Sequence, residues 1–162
     1  MAGRCLNELQ MNRDELTQAI LAECEAWIGT PYCHQASCKG AGCDCLGLLR
    51  GIWRHLYGSE PETMPAYTGD WGEASAGEPL LDAAFRHLAP VEEIEPGNVV
   101  LFRWEPHLPA KHVAIMVSNT TFIHACEHAG VTRARLGSHW RGKIAGIFRF
   151  PMPAETTQKT DR

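Results

Sequence analysis

Residues 39–53 read KGAGCDCLGLLRGIW and combine a glycine-rich turn, two cysteines around an aspartate, and the start of an apolar helical face. Asp44 is a residue type that caps helix N-termini, because its carboxylate accepts unpaired backbone N–H groups of the first turn. The segment therefore predicts a helix that begins at Cys45 and is ended by Gly58. Its apolar face comprises Leu48, Leu49, Ile52, Trp53 and Leu56.

Cys45 falls in the first turn of this helix. Backbone N–H groups and the helix dipole favour negative charge there, so the position favours a thiolate, the nucleophilic form of cysteine. A zinc site, a disulfide or a catalytic thiol would each place cysteines here, and a small buried apolar side chain is the structural alternative. Gly47 and Gly51 lie four residues apart inside the helix, where glycine is unfavourable, and they predict the close approach of another element.

The length and composition of the chain indicate a globular protein with free thiols. The chain has 162 residues, of which 44% are hydrophobic and 21% charged, and this length supports one core without disulfides. The net charge of -4 argues against a nucleic-acid or anionic-membrane surface. We expect a single domain over residues 1–153 and a disordered polar tail over residues 154–162.

The first residues, MAGRCLNELQMNRDEL, lack the apolar core of a secretory signal peptide, and the longest apolar runs are too short to cross a bilayer. We therefore expect synthesis in the cytoplasm without a signal peptide. Seven cysteines, an odd number in a reducing compartment, predict free thiols as the default.

The remaining segments predict helices first and strands second. Asn12 and Glu15 form a capping-box pattern ahead of a first helix that Gly29 stops, and Pro79 opens a third helix after an irregular loop over residues 59–77. Five short segments rich in β-branched and aromatic residues then predict consecutive strands: NVVLFRW, KHVAIMV, TFIHACE, VTRARL and IAGIFRF. This order predicts an α+β fold with a mainly antiparallel sheet.

Two histidines stand out because both lie on predicted strands. If Val117 pairs with Thr121 across the SNT turn, His112 and His124 point to the same side of the sheet as diagonal neighbours. A thiol enzyme needs such a base within hydrogen-bond reach and a third group to orient it. Two hydrogen-bonded core histidines are the structural alternative.

A zinc site would have to be built from Cys33, Cys38, Cys43 and Cys45 with His34. Their spacings of about five, five and two do not form paired Cys-x-x-Cys knuckles, and thiolates held by zinc could not attack a carbonyl. The catalytic thiol is the interpretation that we favour.

Several of these motifs, in this order, resemble the NlpC-type cysteine peptidases of bacterial cell-wall metabolism, and most closely their phage-associated members. The similarity runs from about residue 26 to residue 150. It is carried by GTPYCHQAS, GAGCDCLGLLRGIWRHLYG, EPGNVVLF, KHVAIMV and FIHAC.

The resemblance implies a papain-like core with helices packed on a five- to six-stranded, mainly antiparallel sheet. It implies Cys45 as the nucleophile, His112 as the general base and acid, and His124 as the residue that orients His112. Tyr32 and Asp44 are candidates for contacting the substrate or the oxyanion. No cofactor and no metal are implied.

The resemblance also implies peptidoglycan stem peptides as the substrate, cut between D-γ-glutamate and diaminopimelate or lysine, with Arg103 or Lys111 as a partner for the glutamyl carboxylate. Phage tail proteins are expected partners, and the expected place of action is the cell wall, within a phage-like particle or after lysis. The alternatives are a related thiol amidase or acyltransferase and a catalytically silent phage tail interaction module.

Overall fold

The computed structural model describes residues 11–63 and 77–153 of the chain. Most of the loop predicted for residues 59–77, and the tail predicted for residues 154–162, lie outside the described residues. Within the described residues, each helix is too short or too polar to cross a lipid bilayer.

Helix α1 spans Arg13–Trp27 and begins with the predicted capping box. The Asn12 side chain accepts the Glu15 N–H, the Glu15 carboxylate accepts the Asn12 N–H, and both distances are 2.9 Å. The buried face of α1, which includes Leu16 and Ile20, packs into the main core.

The loop between the first two helices contains a small hairpin. Strand β1 covers Ser37–Cys38, strand β2 covers Gly42–Cys43, and the two pair in antiparallel fashion. Helix α2 follows at once as Cys45–Tyr57, with the bounds that its cap and apolar face predict. Gly58, with φ of 87°, ends it in a conformation that glycine adopts without strain.

A six-stranded antiparallel sheet forms the second half of the molecule, after helix α3 at Pro79–His87. Its strands are β3 (Ala89–Pro90), β4 (Val99–Phe102), β5 (His112–Met116), β6 (Thr121–Cys126), β7 (Gly130–Arg135) and β8 (Ile144–Arg149). Helix α4, Ser138–Arg141, lies between the last two strands. The order across the sheet is β3-β8-β4-β5-β6-β7. The predicted α+β fold is confirmed.

The register between β5 and β6 is the one that the SNT turn predicts. Ile115 pairs with Ile123, and the Val117 N–H donates to the Thr121 carbonyl at 2.9 Å. Because side chains alternate along a strand, this register sends His112 to the same side of the sheet as His124.

The two faces of the sheet have separate apolar layers. On the face towards α1 and α2, the core contains Val113, Ile115, Ile123 and Ala125. The opposite layer is smaller and largely aromatic, and α4 contributes Trp140 to it. The layer consists of Val100, Phe102, Ala114, Met116, Phe122 and Leu136.

The two helix glycines permit the close approach that the sequence predicts. A methyl group on Gly51 would overlap the indole of Trp27 in α1, and one on Gly47 would overlap the backbone carbonyl of Ala36 in the preceding loop. At these two points, which share one face of α2, the neighbouring groups lie at a distance that excludes a Cβ, and this fixes the helix against α1 and the hairpin loop.

We predict that Gly47→Ala lowers the free energy of unfolding by about 1–3 kcal/mol, because overlap with a backbone carbonyl outweighs the roughly 1 kcal/mol that alanine gains in a helix. Urea denaturation measures this difference. Gly137→Ala is the control, since its Cβ would meet nothing within 4 Å. A Gly47→Ala protein as stable as the control would contradict the packing account.

Candidate active site

Asp44 orients the first turn of α2. One carboxylate oxygen accepts the Gly47 N–H at 2.7 Å, and the other accepts the Gln35 N–H at 2.8 Å. The side chain is buried, with the residue 3% exposed. Each oxygen therefore holds a backbone group on one side of Cys45, and the predicted cap is present.

The Cys45 thiol lies against the beginning of strand β5. Its Sγ is 3.8 Å from the Lys111 carbonyl oxygen, the acceptor that directly precedes His112. Burial raises the pKa of the thiol to about 11, and the charge of Asp44 adds to this effect, while the backbone N–H groups of Val113, Leu46 and Cys45 itself lower the pKa by a smaller amount. The helix N-terminus thus acts in the predicted direction, but burial outweighs it.

The two strand histidines form a hydrogen-bonded pair. Nε2 of His112 lies 2.8 Å from Nδ1 of His124, and the residues are 8% and 6% exposed. Burial, and then the charge of His124, lower the pKa of His112 to about 3, and burial also lowers the pKa of His124. Both rings are therefore neutral near pH 7, and one N–H lies between them.

An aromatic shell surrounds this pair. The ring centroid of His112 is 5.2 Å from that of Trp104 and 5.9 Å from that of Trp140. Phe122 lies 5.0 Å from His124. No sequence pattern indicates the two tryptophans, since one follows a strand end and the other lies on a four-residue helix that is too short for a periodic pattern.

Tyr32 lies in the loop that precedes the hairpin. It forms an isolated bridge with Cys43, whose N–H donates to the Pro31 carbonyl at 3.0 Å. Burial, with smaller contributions from Asp44 and Cys45, raises the pKa of Tyr32 to about 12. Its hydroxyl therefore stays protonated at neutral pH and remains a hydrogen-bond donor.

The structure also gives the environment of the remaining loop cysteines and of Arg103. Cys43 is buried, while Cys33 and Cys38 are exposed. Within residues 11–63 and 77–153, no three His, Cys, Asp or Glu side chains are grouped as a metal would require. The Arg103 guanidinium donates to the Glu78 carboxylate and to the Leu108 carbonyl.

Comparison with known proteins identifies the family of this chain. The model of the NlpC/P60 family matches residues 29–149, which include both helix α2 and the paired strands β5 and β6. The chain belongs to the NlpC/P60 family. Members of this family are cell-wall peptidases.

Two curated proteins resemble this NlpC/P60 chain at 28% identity. The γ-DL-glutamyl hydrolase of Bacillus subtilis is similar over 132 residues, which are 81% of this chain and 29% of that protein. The probable endopeptidase NlpC of Escherichia coli is similar over 118 residues, 72% of this chain and 67% of that protein. The chain thus spans less than a third of the Bacillus subtilis relative.

Solved NlpC/P60 structures share the fold. The NlpC/p60 domain of the peptidoglycan hydrolase SagA has a TM-score of 0.55 at 24% identity, with 83% of this chain and 98% of that chain covered. An NlpC/P60 family protein from Bacillus cereus has a TM-score of 0.59 at 20% identity, with 83% and 40% covered.

We predict that the buried imidazoles make the stability of this NlpC/P60 domain depend on pH. The folded pKa of His112 lies below its ordinary value near 6.5, so between about pH 3 and pH 6.5 the unfolded chain binds more protons. The contribution of the neutral pair to the free energy of unfolding is fully present above pH 6.5, and it is lost as the pH drops from 6.5 towards 3. The slope is up to about 1.4 kcal/mol per pH unit for each such ring.

Urea denaturation at pH 7 and pH 5 measures this slope. The His112→Gln/His124→Gln double variant should lose less stability over the interval than the wild type, while His128→Gln, in an exposed turn, should follow the wild type. Equal slopes in all three proteins would contradict burial of the pair in its neutral form.

Proposed function

We propose that the chain is a cysteine peptidase that hydrolyses peptidoglycan stem peptides through an acyl-enzyme on Cys45. The observation that carries the proposal is the contact of the Cys45 thiol with the Lys111 carbonyl at the strand end that bears His112, whose Nε2 is bonded to His124. Nucleophile, base and orienting group are the three parts that such chemistry requires.

His112 is the base in this mechanism. Its Nε2 is engaged with His124, so Nδ1 is the atom that takes the proton from Cys45 as the sulfur attacks the substrate carbonyl. Since burial holds the thiol and the imidazole neutral, the proton moves during the attack rather than before it. The imidazolium then gives this proton to the leaving amine, and water activated by His112 releases the acyl group.

His124 keeps the base in the productive tautomer. When Nδ1 of His112 is the proton acceptor, Nε2 must carry the hydrogen, and this N–H donates to Nδ1 of His124 at the 2.8 Å separation. We expect His124→Ala to retain part of the activity, because orientation contributes less than proton transfer.

The oxyanion is held by the helix N-terminus and by Tyr32. The backbone N–H of Cys45 belongs to the first turn of α2, whose N–H groups have no acceptor within the helix, and the protonated Tyr32 hydroxyl is the second donor that we assign to the oxyanion. Asp44 acts by fixing this turn, because both of its oxygens already accept backbone N–H groups.

The proposed bond joins D-γ-glutamate to the diamino acid of the stem peptide, diaminopimelate or lysine. The name of the Bacillus subtilis relative, a γ-DL-glutamyl hydrolase, supports a γ-linked glutamyl group as the acyl part. The glutamyl α-carboxylate needs a cationic partner, and the candidates are Lys111, which precedes His112 in the chain, and Arg103, which also binds Glu78.

We further propose action as a component of a phage-like particle, or after lysis, with phage tail proteins as partners. This part of the proposal rests on the sequence resemblance to phage-associated members. Detection of the chain by mass spectrometry in purified particles would support it, and its presence only in the soluble fraction of lysed cells would contradict a particle role.

We predict that a stem tetrapeptide incubated with the protein under reducing conditions yields L-Ala-D-Glu, identified by mass spectrometry. Cys45→Ala and His112→Ala should each lower turnover by at least about a thousandfold, because nucleophile and base act as a unit. Cys43→Ala is the matched control two residues away and should retain activity.

Other products would change the assignment. Free L-Ala, or glycan released with its peptide uncut, would indicate an amidase, and transfer of the glutamyl group to an added amine without hydrolysis would indicate an acyltransferase. An intact peptide would indicate a silent interaction module. An active Cys45→Ala with an inactive Cys43→Ala would show that the wrong thiol has been chosen.

A further inference from the structure

Trp140 contacts both imidazoles of the histidine pair. Its indole lies almost parallel to the His112 ring, at 29° and 5.9 Å between centroids, and edge-on to the His124 ring, at 89° and 5.6 Å. Phe102 and Phe122 pack against the same indole at 4.9 and 5.1 Å. The two phenylalanines of the sheet therefore hold the indole in place, and the indole packs against both imidazole rings.

The imidazolium form of His112 has little polar support. Among the described residues, no carboxylate forms a hydrogen bond or an ion pair with this ring, whose contacts are His124 and aromatic side chains. His124 of β6 is the titratable group bonded to this ring. Lys111 precedes His112 in the chain, the Cys45 thiol of α2 lies 3.8 Å from the Lys111 carbonyl, and His139 of α4 contacts Trp140. Burial further disfavours the charge.

The face of an indole ring can stabilise the imidazolium charge in place of a carboxylate. A cation within about 6 Å of the centroid of a tryptophan ring is stabilised by the ring quadrupole, and the effect grows when water is excluded. Trp104 lies 5.2 Å from His112 and 5.8 Å from Trp140, so the three rings form a mutually contacting group. Trp140 is the member that also contacts His124.

We propose that Trp140 is a positioning residue, whose indole holds His112 and His124 at hydrogen-bond distance and stabilises the imidazolium that forms when His112 takes the thiol proton. The step breaks the S–H bond of Cys45 and forms an N–H bond at Nδ1 of His112, which leaves a thiolate and an imidazolium. The inference deepens the proposed function and depends on His112 being the base.

The rate at which iodoacetamide alkylates Cys45 reports this proton transfer without any peptide substrate, because only the thiolate displaces iodide from the reagent. At pH 7, Trp140→Leu should slow the alkylation of Cys45 by about 3- to 30-fold, the range that a desolvated cation–π contact gives. Trp140→Phe keeps a π face and should slow it less. Mass spectrometry of residues 40–50 measures the rate, and fragment ions separate Cys43 from Cys45.

A matched control and a double variant separate positioning from packing. Trp53→Leu removes a buried indole that packs on Tyr57 and Phe150, and it should leave the alkylation rate of Cys45 unchanged. In a His112→Ala background, Trp140→Leu and Trp140→Phe should each change the rate by less than about twofold, since the indole acts through His112.

Three results would overturn the proposal: equal losses in Trp140→Leu and Trp140→Phe, a loss of the same size in the His112→Ala background, or no loss at all. If Trp140→Leu does not fold, the comparison of Trp140→Phe with and without His112 decides. Failure of the proposed function is distinguishable, because a protein that cuts no stem peptide still reports the alkylation rates.

Discussion

The carboxylate of Asp44 fixes the point on which the rest of the site depends. It binds one backbone N–H of helix α2 and one of the preceding loop, so the helix start and the loop cannot move separately. Gly47 allows the loop carbonyl of Ala36 to approach without a side chain between them. The position at which Cys45 contacts the start of strand β5 is therefore fixed. The strand register then determines which side chains lie near the thiol.

Burial is the second constraint, and it determines the type of chemistry. The thiol of Cys45 and the imidazole of His112 are each more stable neutral in this environment, since desolvation acts against a thiolate and an imidazolium alike. A resting ion pair would have to overcome both penalties. A neutral pair that transfers its proton only during attack avoids them, provided that the charged state receives support at that moment. The helix N-terminus stabilises the negative charge on the sulfur, and we propose that the Trp140 indole stabilises the positive charge on the imidazolium.

Sequence patterns predicted the elements that are long enough to show a period. The capped helices, the five strands and the register that places His112 and His124 on the same side of the sheet all follow from local rules. The strands β1 and β3 have two residues each, and the helix that carries Trp140 has four, so no repeat indicates them. The raised pKa of Cys45 also escaped prediction, because it depends on how completely the fold removes water from the thiol.

A covalent glutamyl-enzyme on Cys45 is the central claim, and trapping it is the most direct test. The protein should be mixed with stem tetrapeptide, quenched in acid during turnover and digested with trypsin, which releases Gly40–Arg50 as one peptide. We predict that this peptide gains the mass of the L-Ala-D-Glu acyl group and that fragment ions place the thioester on Cys45. A thioester on Cys43, or substrate turnover with no acylated peptide, would contradict the account.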